Sequence, residues 1–143
     1  MRASLSEVSL SSTAAFRPFS GPRRKDSTVT FTFHLTPREH WDAQRSDAAY
    51  TPEPFETEGF IHCTDGEANV VTVGNRYYTS DPREMVCLVI DCDLVAAEIR
   101  YEDPERIYPH IYGPLNTDSV IDVRTVRREL DGRFTGIGES VSE

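Results

Sequence analysis

The chain has 143 residues, 38% hydrophobic and 27% charged, which fits one globular domain and excludes a mainly disordered chain. Its longest uncharged apolar run, Met85–Ile90, is too short to cross a bilayer, so we expect no membrane association. The net charge is −9, but residues 1–26 hold five cationic and two acidic side chains (+3), so the remainder carries −12. A domain this acidic disfavours long nucleic acid but can still hold a small anionic nucleotide.

The two ends of the chain differ in composition from its middle. Residues 1–27 are rich in Ser, Ala, Arg and Pro, without periodicity and without the apolar core of a secretory signal. They fit a disordered arm, a targeting leader or a misassigned start. We predict one compact domain over residues 28–134, and a flexible tail over residues 135–143 because Gly, Ser and Glu dominate there.

The first predicted elements are a strand and a helix. Apolar and polar residues alternate over Thr28–Leu35, which predicts a half-buried strand that carries His34 on its polar face, near its end. Thr36–Glu39 has the pattern of a capping box with proline at the first helical position, which predicts a helix containing Trp41. The acidic, proline-containing segment Ala49–Glu58 is predicted to be a loop.

A second strand and helix follow. Gly59–Cys63 is predicted to be a short strand, and Thr64 with Glu67 forms a second capping-box pattern that opens a helix to about Tyr78. Arg76 falls near the C-terminal end of this helix, where the helix dipole favours a cation. The predicted apolar stripe of the helix consists of Val70, Val73 and Tyr77.

The second half of the chain is predicted to consist mainly of strands. Met85–Ile90 is continuously apolar, which is typical of a central strand buried on both faces. Glu98–Tyr101 and Ser119–Arg127 are predicted strands, Tyr108–Leu115 a loop stiffened by two prolines, and Asp131-Gly132 a turn. Two early helices with four to six strands predict an α+β fold, with the helices packed on a small, split, mostly antiparallel sheet.

The cysteines indicate a reducing compartment. Cys63, Cys87 and Cys92 are odd in number and form no C-x-x-C motif, so we predict no disulfide framework and a cytoplasmic location. Cys63 is thinkable as a nucleophile with His62 or His110 as its base. Neighbouring residues of a strand point to opposite faces, which argues against the pair of Cys63 with His62.

Three histidines lie where chemistry is possible. His34 alone is typical of a hydrogen-bonded structural residue, whereas His62 precedes a helix N-terminus, where N–H groups favour an anion. His110 lies in the proline-bounded segment and fits a structural role. His62 and His110 together fit an acid and a base. No ligand pair has a recognised zinc spacing, so we predict no metal site.

The motifs resemble a known family. Glu58–Thr64 (EGFIHCT) and Pro109–Asn116 (PHIYGPLN), together with Phe33–Thr36 and Asn75–Tyr78, resemble family 952 of the domains of unknown function, a set of small bacterial proteins. The resemblance spans about Phe31 to Phe134. It implies a family but no activity.

A more distant resemblance implies a cofactor. A strand histidine, Gly-x-x-His before a hydroxyl residue, and Val-Gly-x-Arg before an apolar strand are similar to the RNA 2′-phosphotransferase branch of the ADP-ribosyltransferase fold. In that branch the first histidine contacts the nicotinamide ribose of NAD, while a second histidine and an arginine contact the dinucleotide. By position the catalytic set is His34, His62 and Arg76. The implied NAD-binding set is His34, Thr36, His62, Thr64, Arg76, Tyr77 and Tyr112.

The sequence departs from that branch in two respects, which leaves three functions open. The phosphotransferases carry a preceding domain with further basic residues, to which the acidic loop around Glu58 is not equivalent. No glutamate stands clearly where many ADP-ribosyltransferases place their catalytic one. The leading hypothesis is an NAD-binding domain that transfers ADP-ribose or cleaves the nicotinamide–ribose bond. The alternatives are a non-catalytic nucleotide-binding or partner-docking module, and a hydrolase or isomerase in which His62 and His110 act as acid and base.

Overall fold

The structure, a computed structural model, describes residues 30–141, so the predicted arm over residues 1–27 lies outside the described residues. This part of the chain forms one α+β domain with three short α-helices and nine strands. The helices are α1 (Arg38–Asp42), α2 (Phe55–Glu58) and α3 (Glu67–Tyr77). The strands are β1 (Phe31–Pro37), β2 (Ala49–Tyr50), β3 (Ile61–His62), β4 (Met85–Asp91), β5 (Glu98–Tyr101), β6 (Pro109–Tyr112), β7 (Leu115–Asn116), β8 (Val120–Arg128) and β9 (Phe134–Ser140).

The strands form one large and two small sheets. The four-stranded sheet has the order β1-β4-β8-β9, while β3-β6-β5 and β2-β7 form the small ones, and every pairing among the described residues is antiparallel. Residues Met85–Ile90 of β4 are all buried in the middle of the large sheet, as predicted from their apolar run. The prediction of an α+β domain with a split, mostly antiparallel sheet is confirmed.

The large sheet has a core on each face. On one face α3 packs through Val70 against Leu35, Cys87 and Phe134, and Gly74 approaches the ring of Phe134 so closely that a Cβ would lie 2.6 Å from it. On the other face Tyr50, Ile111 and Leu115 of the small sheets join Val86, Leu88 and Ile90 of β4. The sheet is therefore the middle layer of the domain.

Strand β1 forms the edge at which the large and small sheets meet. Phe33 exchanges both of its backbone hydrogen bonds with Thr64, at 2.9 and 2.8 Å, just beyond the end of β3. The chain then continues from Thr64 into α3. This single bridge fixes the small sheet and the start of α3 beside one edge of β1.

Both capping-box predictions are wrong in detail. Helix α1 begins after Pro37, and Thr36 stays in β1, where its hydroxyl lies 2.8 Å from the Tyr50 hydroxyl. Helix α3 begins after Gly66, because the backbone of Thr64 pairs with Phe33. In both cases a hydrogen bond to a residue distant in the sequence holds the threonine that was predicted to cap the helix. Trp41 lies buried in α1, as expected.

Three other segments differ from the predictions. Ala49–Glu58 contains β2 and α2, and Tyr108–Leu115 contains β6 and the start of β7. Pro109 is tolerated in β6 because it is the first residue of the strand. Phe134–Ser140 forms β9, so the predicted tail from residue 135 contains most of an edge strand that pairs with β8.

The polar face predicted for β1 is also buried. Thr32, His34 and Thr36 point at the small sheets and are 0%, 6% and 2% exposed, whereas Phe31 on the other face is 41% exposed. A second layer of strands covers the side that local alternation assigned to solvent. Among the described residues, no helix is both long and apolar enough to span a membrane.

Candidate functional site

A cleft lies between the edge of β1, helix α3 and the segment around Pro54. It consists of two cavities of about 400 and 570 Å³. The smaller one includes Leu35, and the larger one includes Arg76. Because the cavities share part of their lining, we treat them as one continuous cleft. The shared lining consists of Pro54, His62, Thr64, Val73 and Tyr78.

Most of the residues predicted to contact NAD line this cleft. His34 and Thr36 lie in the smaller cavity, Arg76 and Tyr77 in the larger one, and His62 with Thr64 in both. The residues come from β1, β3 and α3, which the bridge between Phe33 and Thr64 holds together. Motifs that are separate in the sequence therefore meet at one cleft in the fold.

His34 is enclosed. Its Nδ1 lies 2.7 Å from the His62 carbonyl oxygen, and its Nε2 lies 3.0 Å from the Tyr50 hydroxyl. Because a carbonyl only accepts, Nδ1 carries the proton, which leaves Nε2 of the neutral ring as an acceptor beside the Tyr50 hydroxyl. The pKa of His34 is lowered to about 4, mainly by burial; the hydrogen bond to the His62 carbonyl opposes the shift, and electrostatic interaction with His62 and His40 adds to it. His34 is therefore neutral at physiological pH, with both nitrogens engaged.

His62 is open to solvent. Its side chain is 55% exposed, and its Nε2 lies 2.8 Å from Glu58 Oε1. Gly59, with φ of +82°, ends α2 in the left-handed region and turns the chain back into β3. The turn places Glu58 beside His62. The Nδ1 of His62 has no hydrogen-bond partner in the part of the chain that the structure describes.

Arg76 is an uncommitted cation. It is exposed on the last turn of α3, and its guanidinium carbon lies 6.0 Å from the centre of the Tyr77 ring. It forms no ion pair with another described residue. Tyr77 is 68% exposed beside it. This pair gives the larger cavity one positive charge and one aromatic face.

The edge of β1 offers backbone groups to the smaller cavity. In an antiparallel strand, alternate residues direct both backbone groups to the same side. Since Phe33 bonds outward to Thr64, the N–H and C=O of Leu35 also point away from β4. No described strand pairs with Leu35 on that side. The cleft therefore contains one backbone donor and one backbone acceptor that no described strand engages.

A salt-bridge cluster stands at the rim of the smaller cavity. Arg83 contacts Glu53 through two hydrogen bonds of 3.0 and 3.2 Å and also contacts Asp81 at 2.9 Å. Glu53 lies between Pro52 and Pro54, which line the cavity as well. Arg83 is thus neutralised locally and fixes this wall. It is less available to a ligand than Arg76.

Tyr112 lies outside the cleft. On the outer face of the β3-β6-β5 sheet its hydroxyl donates to Glu102 Oε1 at 2.5 Å, and Arg100 stacks 4.3 Å above its ring. His110 lies on the same face, with Nδ1 3.2 Å from Glu102, and stacks on Phe60 at 4.2 Å between ring centres. His110 also reaches the wall of the larger cavity, and its ring centre lies 5.1 Å from that of His62.

Cys63 is not placed for nucleophilic chemistry. Its side chain is 2% exposed within the apolar core, and burial raises the pKa of its thiol. Reactive cysteines have the opposite property, a lowered pKa and an accessible sulfur. Among the described residues, no group of three or more His, Cys, Asp or Glu side chains is arranged to hold a metal ion.

Several groups that line or support the cleft were not predicted from the sequence. The contact of Glu58 with His62 could have been predicted, because Glu58 lies four residues before His62 and a glycine that can form a turn stands between them. Tyr50 and the backbone of Leu35 had no such signal, because their role depends on which strands meet. Arg83 could not be told from any other surface arginine for the same reason.

The fold and the cleft define a single α+β domain with mostly antiparallel sheets. The chain belongs to the family described as "Protein of unknown function (DUF952)", whose model matches residues 35–123, more than half of the chain. The family prediction made from the motifs is therefore confirmed.

Solved structures share the fold. The crystal structure of protein CC0527 from Caulobacter crescentus matches with a TM-score of 0.64 at 19% identity, covering 74% of this chain and 94% of that one. A solution NMR structure of CC0527 matches with a TM-score of 0.57 at 18% identity, covering 71% and 89%. Identities this low establish a common fold alone. No curated protein matches the chain.

Proposed function

We propose that the cleft binds NAD and that the chain is an NAD-binding domain of the ADP-ribosyltransferase fold, which transfers ADP-ribose or cleaves the nicotinamide–ribose bond. The observation that carries the proposal is the open edge of β1 inside the smaller cavity. A primary carboxamide has one acceptor and one donor side by side. It therefore complements the N–H and C=O of Leu35, and nicotinamide presents this group.

The remainder of the cleft suits the rest of the dinucleotide. A nicotinamide in the smaller cavity places its ribose near His62, which lines both cavities, and the pyrophosphate towards Arg76. A guanidinium holds phosphate oxygens through a planar set of donors. The exposed face of Tyr77 suits stacking on a ring of the ligand. In this arrangement His34 supports β1 from behind and does not touch the ribose.

Cleavage of the nicotinamide–ribose bond requires little nucleophilic assistance from the protein. The departing pyridine is a good leaving group and the ribose becomes positively charged, so positioning and electrostatics supply most of the catalysis. The acidic character of the domain favours a small nucleotide over long nucleic acid. A cytoplasmic location, where NAD is abundant, fits the three unpaired cysteines.

Calorimetric titration with NAD tests the proposal. We expect micromolar binding by the wild type and at least about a tenfold loss for Arg76→Ala, since a charged hydrogen bond contributes about 1.5–3 kcal/mol. Arg133→Ala, which removes another exposed arginine in the turn before β9, is the matched control and should bind as the wild type does. A folded wild type that does not bind NAD contradicts the proposal.

Nicotinamide alone tests the carboxamide site. In a ¹⁵N–¹H correlation spectrum, nicotinamide should shift the Leu35 amide resonance, whereas nicotinic acid should not, because its carboxylate offers two acceptors and no donor. Equal shifts with both compounds would show that the backbone edge does not select the amide. Release of nicotinamide from NAD then separates an enzyme from a non-catalytic binding module.

A further inference from the structure

Five residues line both cavities of the cleft, and His62 is the histidine among them. His62 lines both, whereas Leu35 lines only the smaller cavity and Arg76 only the larger one. A ligand that spans the cleft must pass His62. If NAD binds with its carboxamide at Leu35 and its pyrophosphate at Arg76, the ribose carbon that loses nicotinamide lies in the section bordered by His62.

The partner of His62 determines which of its nitrogens is basic. Glu58 Oε1 lies 2.8 Å from Nε2, and a carboxylate only accepts, so Nε2 carries the proton. In the neutral ring Nδ1 then keeps a lone pair, and it has no hydrogen-bond partner among the described residues. A carboxylate that orients an imidazole in this way also stabilises the imidazolium formed when the free nitrogen takes a proton.

We propose that His62 is the general base that activates the acceptor of ADP-ribose, with Glu58 as its positioning residue. The proposal rests on the proposed function. The acceptor hydroxyl gives its proton to His62 Nδ1 as its oxygen bonds to the ribose carbon. The carbon–nitrogen bond to nicotinamide breaks, and its electron pair leaves with the ring nitrogen, which becomes a neutral pyridine. Nicotinamide departs, and the proton on His62 passes to solvent.

The charges of the larger cavity indicate the class of acceptor. Glu58 and Asp103 line it beside Arg76, and the pyrophosphate of NAD engages that arginine. With Arg76 engaged by the pyrophosphate, Glu58 and Asp103 leave the larger cavity acidic, which disfavours an acceptor that carries a phosphate or carboxylate. We therefore infer an uncharged or cationic hydroxyl compound, with water as the acceptor when no alcohol is present.

Two variants and two readouts test the assignment in the 143-residue chain. Calorimetry gives the affinity for NAD, and nicotinamide release gives the rate, with water, choline or glycerol 3-phosphate as the acceptor. His62→Ala should keep the wild-type affinity and lose about a hundredfold in rate. Glu102→Gln is the matched control, because Glu102 contacts His110 at 3.2 Å but lines neither cavity; it should behave as the wild type. Choline should accelerate release, and glycerol 3-phosphate should not.

The role of Glu58 has its own readout. Imidazole ¹⁵N chemical shifts should show the Nε2–H tautomer of His62 in the wild type. Glu58→Gln should keep this tautomer, because the amide oxygen still accepts, with a rate reduced about tenfold by the lost charge. Glu58→Ala should mix the tautomers and reduce the rate further. Loss of rate without a change of tautomer in Glu58→Ala would contradict the positioning role.

The outcomes that overturn the proposal are separable from failure of the proposed function. If NAD does not bind, the proposed function fails, and the base assignment fails with it. If NAD binds but the wild type releases no nicotinamide, NAD binding stands, and the transfer step of the proposed function fails together with the base assignment. If the wild type releases nicotinamide and His62→Ala releases it at the same rate, the base assignment alone is wrong. An Nδ1–H tautomer in the wild type would also overturn it, since no lone pair would remain.

Discussion

Two histidines of adjoining strands, His34 in β1 and His62 in β3, share one hydrogen bond and have opposite environments. The Nδ1 of His34 lies 2.7 Å from the backbone carbonyl oxygen of His62. His34 is 6% exposed and uses its second nitrogen on Tyr50, whereas the His62 side chain is 55% exposed with one nitrogen that no described residue engages. The resemblance to the RNA 2′-phosphotransferases implied a catalytic role for both histidines.

This contrast shows that a shared motif does not give two residues the same role. A histidine whose nitrogens are both engaged inside a core stabilises the fold and cannot easily gain a proton. A histidine at a cavity wall with one oriented nitrogen can exchange protons with a ligand. We therefore expect stability to depend on the surroundings of His34 and chemistry on those of His62.

The strongest effect should be on stability. His34→Ala leaves the His62 carbonyl without its partner, removes one of the two partners of the buried Tyr50 hydroxyl and opens a cavity. We therefore expect a loss of about 3 kcal/mol in the free energy of unfolding. His62→Ala removes an exposed side chain and should cost less than about 0.5 kcal/mol. Urea denaturation measures both. If both variants lost a similar free energy of unfolding, the contrast between a structural His34 and an exposed His62 would be wrong.

The second effect is the dependence of stability on pH. The pKa of His34 is lowered from 6.5 to about 4 in the folded state, so the unfolded chain binds the proton more tightly. The stabilisation is complete above pH 6.5 and is lost as pH falls towards 4. The expected loss is about 2 kcal/mol from pH of about 7.5 to about 5, measured by urea denaturation.

The control for the pH effect is His34→Gln, which has polar atoms but does not titrate. Its stability should fall less than that of the wild type over the same range, by the amount that His34 contributes. His62 and His40, which interact electrostatically with His34 in the wild type, are both retained in the variant. Parallel pH profiles for the two proteins would contradict the assigned burial of a neutral His34.

A third and smaller effect isolates the partner of His34. Tyr50→Phe removes a buried hydroxyl that lies 3.0 Å from His34 Nε2 and 2.8 Å from Thr36 Oγ1, and we expect a loss of about 1–2 kcal/mol. Thermal or urea unfolding measures it. Tyr77→Phe, at a tyrosine that is 68% exposed, is the control and should leave stability unchanged. Equal stability of the two variants would mean that the hydroxyl of Tyr50 contributes nothing.

The weakest effect concerns the turn that joins Glu58 to His62. Gly59 has φ of +82°, and a Cβ at this position would meet no atom within 4 Å, so Gly59→Ala introduces backbone strain without a clash. We expect a loss of about 1 kcal/mol in urea denaturation, together with a weaker contact between Glu58 and His62. Gly59→Asn should cost less, because asparagine tolerates this region better. If Gly59→Ala were more stable than the wild type, the left-handed backbone conformation assigned to Gly59 would be wrong.

Much of the fold could be predicted because its signals are local. The apolar run of β4, the alternation in β1 and the turn at Asp131-Gly132 are properties of neighbouring residues, and the structure contains all three features. The errors lie where a distant partner intervened. Thr36 and Thr64 were predicted to cap helices, but Tyr50 and Phe33 hold them in the sheets.

The residues that line the cleft were predictable only in part, and their geometry was not predictable. Residue patterns alone were enough to establish the family, the α+β class and a set of polar residues that converge on one cleft. Three features became visible only in the folded chain: Tyr112 lies on the outer face, His34 is sealed, and no described strand pairs with the outer edge at Leu35. The physical reason is that burial and hydrogen-bond partners depend on which strands meet, and residues far apart in the chain decide that.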